Sequence, residues 1–411
     1  MLSSNQIEKL IEPIILRQER INRKILVMIA QRIKEIGEIT PSDVQSLVRM
    51  LKTGGDVLAI NEELARMASL TVADVKELIR NVATSVYLDA KPFYDYRYQS
   101  FIPFEENTQL QNVVRSISNV TEGTFRNLSN TYAIGFLIRD YKNPIKLRWT
   151  PLSYTYESII DEAAQAAQSG VVDYYTAMRR TIAQLANSGV RRIDYAPVSG
   201  KPYTRRLDSA VRMNVLDAIR AINQGVEDEI GKQIGADGVE ISVHAAPAPD
   251  HAPIQGLRFT NEQYKLLQSQ DESNVAVSYD DKIKIRAPHR CIGIWNCHHI
   301  ARSTILNLFN PTYTKEQLQQ IIKDNEKGVT IGGKKYTMYE AEQKQRELET
   351  LVRYAKDGQI TALEAGDMKL VQQYQNKVQR YTNNYNEFSQ KASLRTDYKR
   401  LFVDGYKPLK F

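Results

Sequence analysis

The sequence predicts a mostly α-helical protein of the α+β class, and three observations support this. Apolar residues between positions 4 and 36 recur at three- and four-residue steps, the period of an amphipathic helix. The polar stretch 338–390 is also helical in pattern, with a turn expected near Gly358 or Gly366. Between these stretches only short runs alternate like strands, for example Val239–Val243. We therefore expect a helical N-terminal bundle, a small irregular α+β core and a long C-terminal helical hairpin.

Local signals place several element boundaries. Residues 314–317 and 337–340 each have the pattern of a capping box, in which a threonine is followed three residues later by Gln or Glu. Between these two helix starts, Gly332-Gly333 predicts the turn of a β-hairpin. A strong helical pattern from Leu207 to Ile234 ends at a glycine. The aromatic stretch 91–98 contains a proline and predicts a loop that interrupts the N-terminal helices.

The length allows two or three domains, because domains commonly have about 100–200 residues. The changes in pattern suggest three consecutive segments. These are a helical N-terminal domain at 1–150, an α+β core domain at 151–312 and a helical C-terminal domain at 313–411.

Composition excludes several classes of protein. No apolar run approaches the roughly 18 residues needed to span a membrane, and acidic residues precede the first apolar run, unlike in a signal peptide. Two cysteines do not make a disulfide framework, which favours synthesis in the cytosol. A net charge of +7 permits contact with nucleic acid without requiring it. The 23 tyrosines against 10 phenylalanines indicate packing against partners.

All five histidines and both cysteines lie between His244 and His299. Imidazole and thiolate are the side chains that bind zinc in proteins, and a set contributed by two loops can complete a tetrahedral site. The candidate metal ligands are His244, His251, Cys297 and His299, and the expected cofactor on this hypothesis is one structural zinc ion. Their spacing is not that of a zinc finger.

Two alternatives remain open for this segment. The histidines and cysteines can instead fill and hydrogen-bond a small irregular core without any metal. Cys297 with a histidine base, or a bound metal, can also serve a cysteine enzyme or a metal-dependent hydrolase. No acid at a telling distance and no glycine turn for an oxyanion hole marks such an enzyme in the sequence.

A series of short motifs covers nearly the whole chain. It includes Leu207–Met213, Gly235–Ala245, Asp250-His251, Gln255-Gly256, Gly293–His299, Asn310–Tyr313, Lys335–Ala341, Gln343–Arg346, Glu387–Ser389 and Leu394-Arg395. In this order the motifs resemble a family of phage minor capsid proteins. That family is related in role to the head-morphogenesis proteins exemplified by the F protein of phage Mu.

The resemblance assigns signature positions to this chain. They are Arg212, His244, His251, Gln255, Gly256, Asn296, Cys297 and His299. Two positions depart from the family pattern, since Ala248 and His298 stand where the family usually has arginine. If those arginines bind an anion, this chain has weakened that function.

The resemblance implies a structural minor capsid protein of a tailed bacteriophage rather than an enzyme. It implies a place in the virion, in the capsid interior or at the portal vertex, after assembly in the host cytoplasm. The expected partners are the portal protein, the major capsid or scaffolding protein, and packaged double-stranded DNA that is bound without base readout. The expected role is to assist assembly and genome packaging or delivery.

Overall fold

The structure is a computed structural model. It describes residues 4–38, 56–97, 99–128, 134–139, 146–169, 174–194, 203–269, 273–288, 291–293, 297 and 299–409. Its helices and its small antiparallel sheets confirm the mostly helical α+β class.

The helices carry most of the described chain. They are α1 (Ser4–Glu38), α2 (Asp56–Asp89), α3 (Lys91–Tyr96), α4 (Thr108–Leu128), α5 (Leu152–Ser169), α6 (Tyr174–Ser188), α7 (Leu207–Ile234), α8 (Asn261–Leu267), α9 (Lys315–Lys327), α10 (Met338–Glu364) and α11 (Met368–Lys391). In the described residues, short 3₁₀ turns cover Ala252–Ile254 and Tyr398–Leu401.

The strands of the described residues form four separate antiparallel sheets. They are β1 (Ile134–Arg139), β2 (Leu147–Pro151), β3 (Arg191–Asp194), β4 (Tyr203–Arg206), β5 (Gly238–Ile241), β6 (Arg258–Thr260), β7 (Asn274–Val277), β8 (Asp280–Arg286), β9 (Ala301–Thr304), β10 (Val329–Ile331) and β11 (Lys334–Tyr336). The strand orders are β2-β1-β3-β4, β6-β5-β9, β7-β8 and β10-β11.

Contacts group the chain into two compact units, each assembled from separate stretches. The first unit comprises Met1–Ile11, Val72–Gly123 and Met213–Lys344, and the second comprises Glu12–Thr71, Thr124–Arg212 and Gln345–Phe411. The three consecutive segments 1–150, 151–312 and 313–411 stay a prediction about which parts of the chain fold as domains.

The first unit contains the three-stranded sheet with β5 at its centre. Val239 of β5 lies opposite Phe259 of β6 on one side and Ser303 of β9 on the other. Its apolar core includes Val239, Ile241, Ile254, Phe259 and Ala301, all buried. The sheet therefore fixes the start of the loop that follows β5 and the end of the segment that precedes β9.

The second unit contains the four-stranded sheet and the helical hairpin α10–α11. Its apolar core draws on α1, α2, α5, α6, α10 and α11 and includes the fully buried Phe136 of β1. Inside the hairpin, Gln345 donates hydrogen bonds from its amide to the Ser389 hydroxyl at 2.8 Å and to the Arg395 carbonyl at 3.0 Å. The motifs Gln343–Arg346, Glu387–Ser389 and Leu394-Arg395 thus meet around the buried side-chain amide of Gln345.

The capping signals are confirmed atom by atom. The Thr314 hydroxyl accepts from the Gln317 backbone N–H at 3.3 Å, while the Gln317 side chain accepts from the Thr314 N–H at 2.8 Å. Thr337 and Glu340 make the same exchange at 3.2 and 2.9 Å. Both pairs satisfy N–H groups that a helix start leaves without intrahelical partners.

The loop predicted at 91–98 is wrong over most of its length. Lys91–Tyr96 forms the short helix α3, with a proline in its first turn. Proline suits that position, because its fixed φ is helical and its missing N–H would have had no partner there. Tyr98 lies outside the described residues.

Candidate functional site

The candidate site lies in the first unit, between the loop that follows β5 and the segment that precedes β9. The backbone N–H of Ser242 donates to the Ile300 carbonyl at 2.9 Å, and the Ile300 N–H donates to the Ser242 hydroxyl at 2.9 Å. These bonds extend the β5–β9 pairing by one step. They bring the segment around His299 beside the loop that carries the first histidines.

The loop after β5 is closed at Gly256. Its N–H donates to the Ile241 carbonyl at 2.8 Å, and its φ is +68°, a conformation that glycine adopts without strain. A Cβ at this position would lie 2.3 Å from a Leu318 methyl carbon, so a larger residue requires the Leu318 side chain to move. His251 immediately precedes the 3₁₀ turn of this loop, and the turn fixes its position.

Three predicted ligands meet in this site. The Cys297 Sγ lies 3.3 Å from His251 Nδ1 and 3.4 Å from His299 Nδ1. The exposed fractions of the three residues are 9 % for Cys297, 2 % for His251 and 1 % for His299. Their candidate ligand atoms all lie within 4.8 Å of one another, an arrangement that could hold a metal ion. We call these three residues the His-Cys-His cluster.

The outer nitrogens of both histidines face acceptor oxygens. His299 Nε2 lies 3.2 Å from the Gln255 side-chain oxygen, which also accepts the His244 backbone N–H at 3.1 Å. His251 Nε2 lies 3.8 Å from a carboxylate oxygen of Asp250. Gln255, a signature residue of the resemblance, thus orients one ring of the cluster.

The fourth predicted ligand, His244, lies beside the cluster rather than in it. Its ring centroid is 4.2 Å from that of His299, with the rings tilted by 48°. Its Nδ1 lies 2.7 Å from the Ala245 carbonyl oxygen. Burial lowers the pKa of His244, and the nearby charge of Arg220 acts in the same direction.

The surroundings of Cys297 favour loss of its thiol proton. Burial raises the pKa of Cys297, but the hydrogen bond with His251 and the backbone N–H groups of Gly293 and His299 together lower it below its ordinary value. The thiolate is the form that binds metal and acts as a nucleophile. Neither Cys291 nor Cys297 forms a disulfide bond.

The remaining signature positions are distributed differently. Arg212 lies in α7 and belongs to the second unit, whereas the cluster belongs to the first. Asn296, His289 and His298 lie outside the described residues.

A buried ion pair next to the β5 loop was not predicted as part of any site. Arg258 donates to the Glu240 carboxylate at 2.6 Å across the β5–β6 pair, and its guanidinium also donates to the carbonyls of Phe309 and Asn310. Glu240 accepts the Thr312 N–H at 3.2 Å. The Glu240 side chain thus anchors the segment that follows β9. Glu240 and Arg258 face each other in the β5–β6 register, and opposite charges at facing positions stabilise a pair of strands. The sequence pattern does not contain this register, so it could not reveal the pair.

Comparison with known proteins gives one match. No curated protein and no solved structure matches the sequence. Within the part of the chain that the structure describes, no helix combines the length and the apolar character needed to cross a membrane. A sequence model described as phage minor capsid protein 2 matches residues 2–390, which is nearly the whole chain. The chain therefore belongs to the phage minor capsid protein 2 family.

Proposed function

We propose that this chain is a minor component of a tailed-phage head that assists capsid assembly and genome packaging or delivery. It acts inside the head or at the portal vertex, in contact with the portal protein and with major capsid or scaffolding protein. The observation that carries the proposal is the family match over residues 2–390. The match covers nearly the whole chain rather than one module, which supports a structural role for the whole chain in the virion.

An exposed basic arm supports contact with partners. Residues 314–336 comprise α9 and the β10–β11 hairpin, and none of the residues of α9 is buried. The arm carries five lysines against three acidic residues, and all five lysines are exposed. An element that buries so little of itself gains little stability from its own fold, so a partner surface is the natural place for it to pack.

The lysines of this arm suit phosphate groups. Lys334 and Lys335 stand on β11, next to the tight turn of the hairpin. Contacts between lysine and phosphate supply affinity for DNA without reading its sequence. A protein that faces packaged DNA needs this kind of binding, so we propose that the arm contacts the genome.

Counting copies in the virion tests the role. Purified virions are analysed by quantitative mass spectrometry, with copies of the chain normalised to portal and major capsid protein. A low and fixed number per particle is expected. Absence from mature virions would overturn the proposed place in the head, and the chain would then be an assembly factor or an enzyme of infection.

Charge reversal tests the DNA contact. The double variant Lys334→Glu, Lys335→Glu should weaken binding to random double-stranded DNA and lower the salt slope of log Kd by about 2. The matched control is Lys91→Glu, Lys369→Glu, which makes the same charge change at two exposed lysines outside the arm. Equal loss in both variants would show general attraction to a basic surface and would refute the arm as the DNA contact.

An enzyme is the second candidate, favoured by the 3.3 Å contact between Cys297 Sγ and His251 Nδ1. This pairing of thiol and imidazole is the one that activates a cysteine nucleophile. It predicts that iodoacetamide alkylates Cys297 faster than Cys291 in the folded chain, as followed by peptide mass spectrometry. Slower alkylation of Cys297 than of Cys291 would remove this candidate.

A further inference from the structure

We propose that the His-Cys-His cluster binds one divalent transition-metal ion of the zinc type, through His251 Nδ1, Cys297 Sγ and His299 Nδ1. The capsid role proposed above neither requires nor excludes such an ion. The metal site and the capsid role are therefore tested independently.

The spacing of the three atoms is close to that of a zinc tetrahedron. Zinc binds cysteine sulfur at about 2.3 Å and histidine nitrogen at about 2.0–2.1 Å, so a tetrahedral site has S···N edges of about 3.5 Å. The observed Sγ···Nδ1 distances are 3.3 Å to His251 and 3.4 Å to His299. An ion can therefore sit between these atoms with only small shifts of the side chains.

The groups around the cluster present the correct nitrogen of each histidine. His299 Nε2 faces the Gln255 oxygen at 3.2 Å, which is an acceptor and therefore holds the ring proton on Nε2. The Asp250 carboxylate lies on the Nε2 side of His251 at 3.8 Å and favours the same tautomer there. Histidines that bind metal are commonly oriented in this way, by a carboxylate or carbonyl oxygen on the outer nitrogen.

Two imidazole nitrogens converge on one sulfur. With both ring protons on Nε2, the Nδ1 lone pairs of His251 and His299 lie 3.3 and 3.4 Å from Cys297 Sγ. Two nitrogen lone pairs and a thiolate directed at one point are the donor arrangement that a zinc-type cation takes.

The backbone supports a thiolate at the centre of the site. The N–H of His299 points at Cys297 Sγ at 3.4 Å, and N–H groups directed at sulfur stabilise its negative charge. His299 stands two residues before β9, whose pairing with β5 fixes the neighbouring backbone, and His251 is fixed by the 3₁₀ turn that follows it. The site is thus held in place before any ion binds, which lowers the cost of ordering.

The donor set selects the metal. One thiolate and two imidazole nitrogens suit zinc and the neighbouring transition metals, whereas magnesium and calcium prefer oxygen ligands. Of the four ligands expected from the sequence, His244 lies beside the cluster, with its ring centroid 4.2 Å from that of His299, and its ring has to move to take the remaining position. Its Nδ1 is occupied by the Ala245 carbonyl, so its Nε2 is the nitrogen that can bind.

The test uses the full-length chain and metal ions themselves. Metal is removed with a chelator, and the protein is titrated with Co²⁺ while its absorption spectrum is recorded. We expect one equivalent of Co²⁺ to produce the thiolate-to-cobalt charge-transfer band together with the visible bands of a tetrahedral ion. One equivalent of Zn²⁺ should remove both. Elemental analysis of the zinc-loaded chain should give one zinc per molecule.

Variants assign the ligands. Cys297→Ser should lose the charge-transfer band and weaken zinc binding by more than about 100-fold. The matched control Cys291→Ser changes the other free thiol and should behave like the parent chain. Cys297→His restores a ligand of a different type, so it should bind Co²⁺ without the charge-transfer band. This variant distinguishes a lost ligand from a lost fold.

Three results would overturn the proposal. The first is a folded parent chain, checked by circular dichroism, that gives no charge-transfer band with Co²⁺. The second is a band that persists in Cys297→Ser and vanishes in Cys291→Ser. The third is binding of zinc no tighter than that of magnesium.

Discussion

The guanidinium of Arg206 is buried in the second unit and surrounded by carboxyl groups. It donates to Asp357 at 2.9 Å and to Asp208 at 3.0 Å, and Glu19 lies 3.9 Å away. Arg353 also pairs with Asp208. Four of these five side chains are at most 3 % exposed, so their charges must balance within the cluster.

The balance depends on the protonation of Glu19. Two guanidinium groups face three carboxyl groups, so the cluster is neutral only if one carboxyl keeps its proton. Burial, followed by the negative charge of Asp208, raises the pKa of Glu19 well above its ordinary value of 4.5. We infer that the protonated carboxyl of Glu19 belongs to the folded state.

The variant Glu19→Gln tests this inference. Glutamine imitates a protonated carboxyl group, so we expect it to stabilise the folded chain at pH 7 by about 1 kcal/mol. The sign follows from linkage. The unfolded chain releases the Glu19 proton near pH 4.5, whereas the folded chain holds it to higher pH, so the parent loses stability as the pH rises from there. The advantage of the variant should therefore grow between about pH 4.5 and pH 7, as measured by urea denaturation.

The opposite outcome is equally clear. If Glu19 is ionised and paired with Arg206, Glu19→Gln will destabilise the chain at pH 7, because it removes one partner of a buried ion pair. Asp208→Asn serves as the contrast. The positive charges of Arg206 and Arg353 outweigh the effect of burial and lower the pKa of Asp208, so this substitution should destabilise at pH 7.

At this scale the sequence predicts some side-chain roles and not others. The metal ligands could be proposed because histidine and cysteine are rare in this chain and confined to one segment. The Arg206 cluster could not, because Glu19 and Asp357 are 338 positions apart and each is an ordinary residue of a polar helix. One signal was visible at Asn22. It stands in the apolar stripe of α1 and accepts the Val190 N–H at 3.0 Å.

His244 gives a second test at the scale of residues. If its Nε2 takes the fourth position of the metal site, His244→Ala should retain one metal per chain but bind it about 10–100-fold more weakly. Competition between the protein and a chelator of known affinity measures the change. An affinity equal to that of the parent chain would contradict His244 as a ligand and leave water in that position.

The helical hairpin shows how one glycine allows two helices to approach. Gly358 stands inside α10, where glycine is unfavourable by about 1 kcal/mol relative to alanine. A Cβ at this position would lie 2.2 Å from a ring carbon of Tyr374 on α11, a side chain that is fully buried. The close packing of the ring against the helix backbone is the physical reason for the glycine.

Two glycine-to-alanine variants separate packing from helix propensity. Gly358→Ala should destabilise the chain by about 1–3 kcal/mol, because the clash with Tyr374 exceeds the gain in propensity. Gly123→Ala lies in α4, where a new Cβ meets nothing within 4 Å, so it should stabilise by about 0.5–1 kcal/mol. Urea denaturation of both variants measures the difference. Stabilisation by both would mean that the Tyr374 ring is free to move aside.

Elements were predictable where the signal is local. Capping threonines, the glycine pair of the β10–β11 hairpin and Gly235 after α7 each depend on backbone geometry within a few residues. The turn of the helical hairpin was narrowed to two glycines, and the structure places it at Gly366, whose φ is +79°. Gly358 could not be distinguished from it, since the reason for that glycine is a tyrosine on the next helix.

At the scale of the whole molecule, the arrangement depends on contacts between distant parts of the chain. Each compact unit combines three separate stretches. Periodicity reports only which face of one element is apolar, and it does not identify the element against which that face packs. A boundary read from changes in pattern therefore describes consecutive segments, whereas the contacts that define a unit join residues such as Asn22 and Val190.

The division into two units makes a prediction about metal binding. The His-Cys-His cluster lies in the first unit, so an ion that binds there stabilises the native state of that unit. The free energy gained is RT ln(1 + [metal]/Kd), or about 2.7 kcal/mol at a metal concentration 100 times Kd. Hydrogen exchange followed by mass spectrometry should therefore slow at residues 238–260 and 299–304 when zinc is added. Exchange in α11 of the second unit should change much less. In the variant Cys297→Ser, zinc should slow exchange in neither unit. A specific ion stabilises only the unit that supplies its ligands. If zinc instead slows exchange equally in both units, and does so in Cys297→Ser as well as in the parent chain, then zinc binds unspecifically to the surface of the chain.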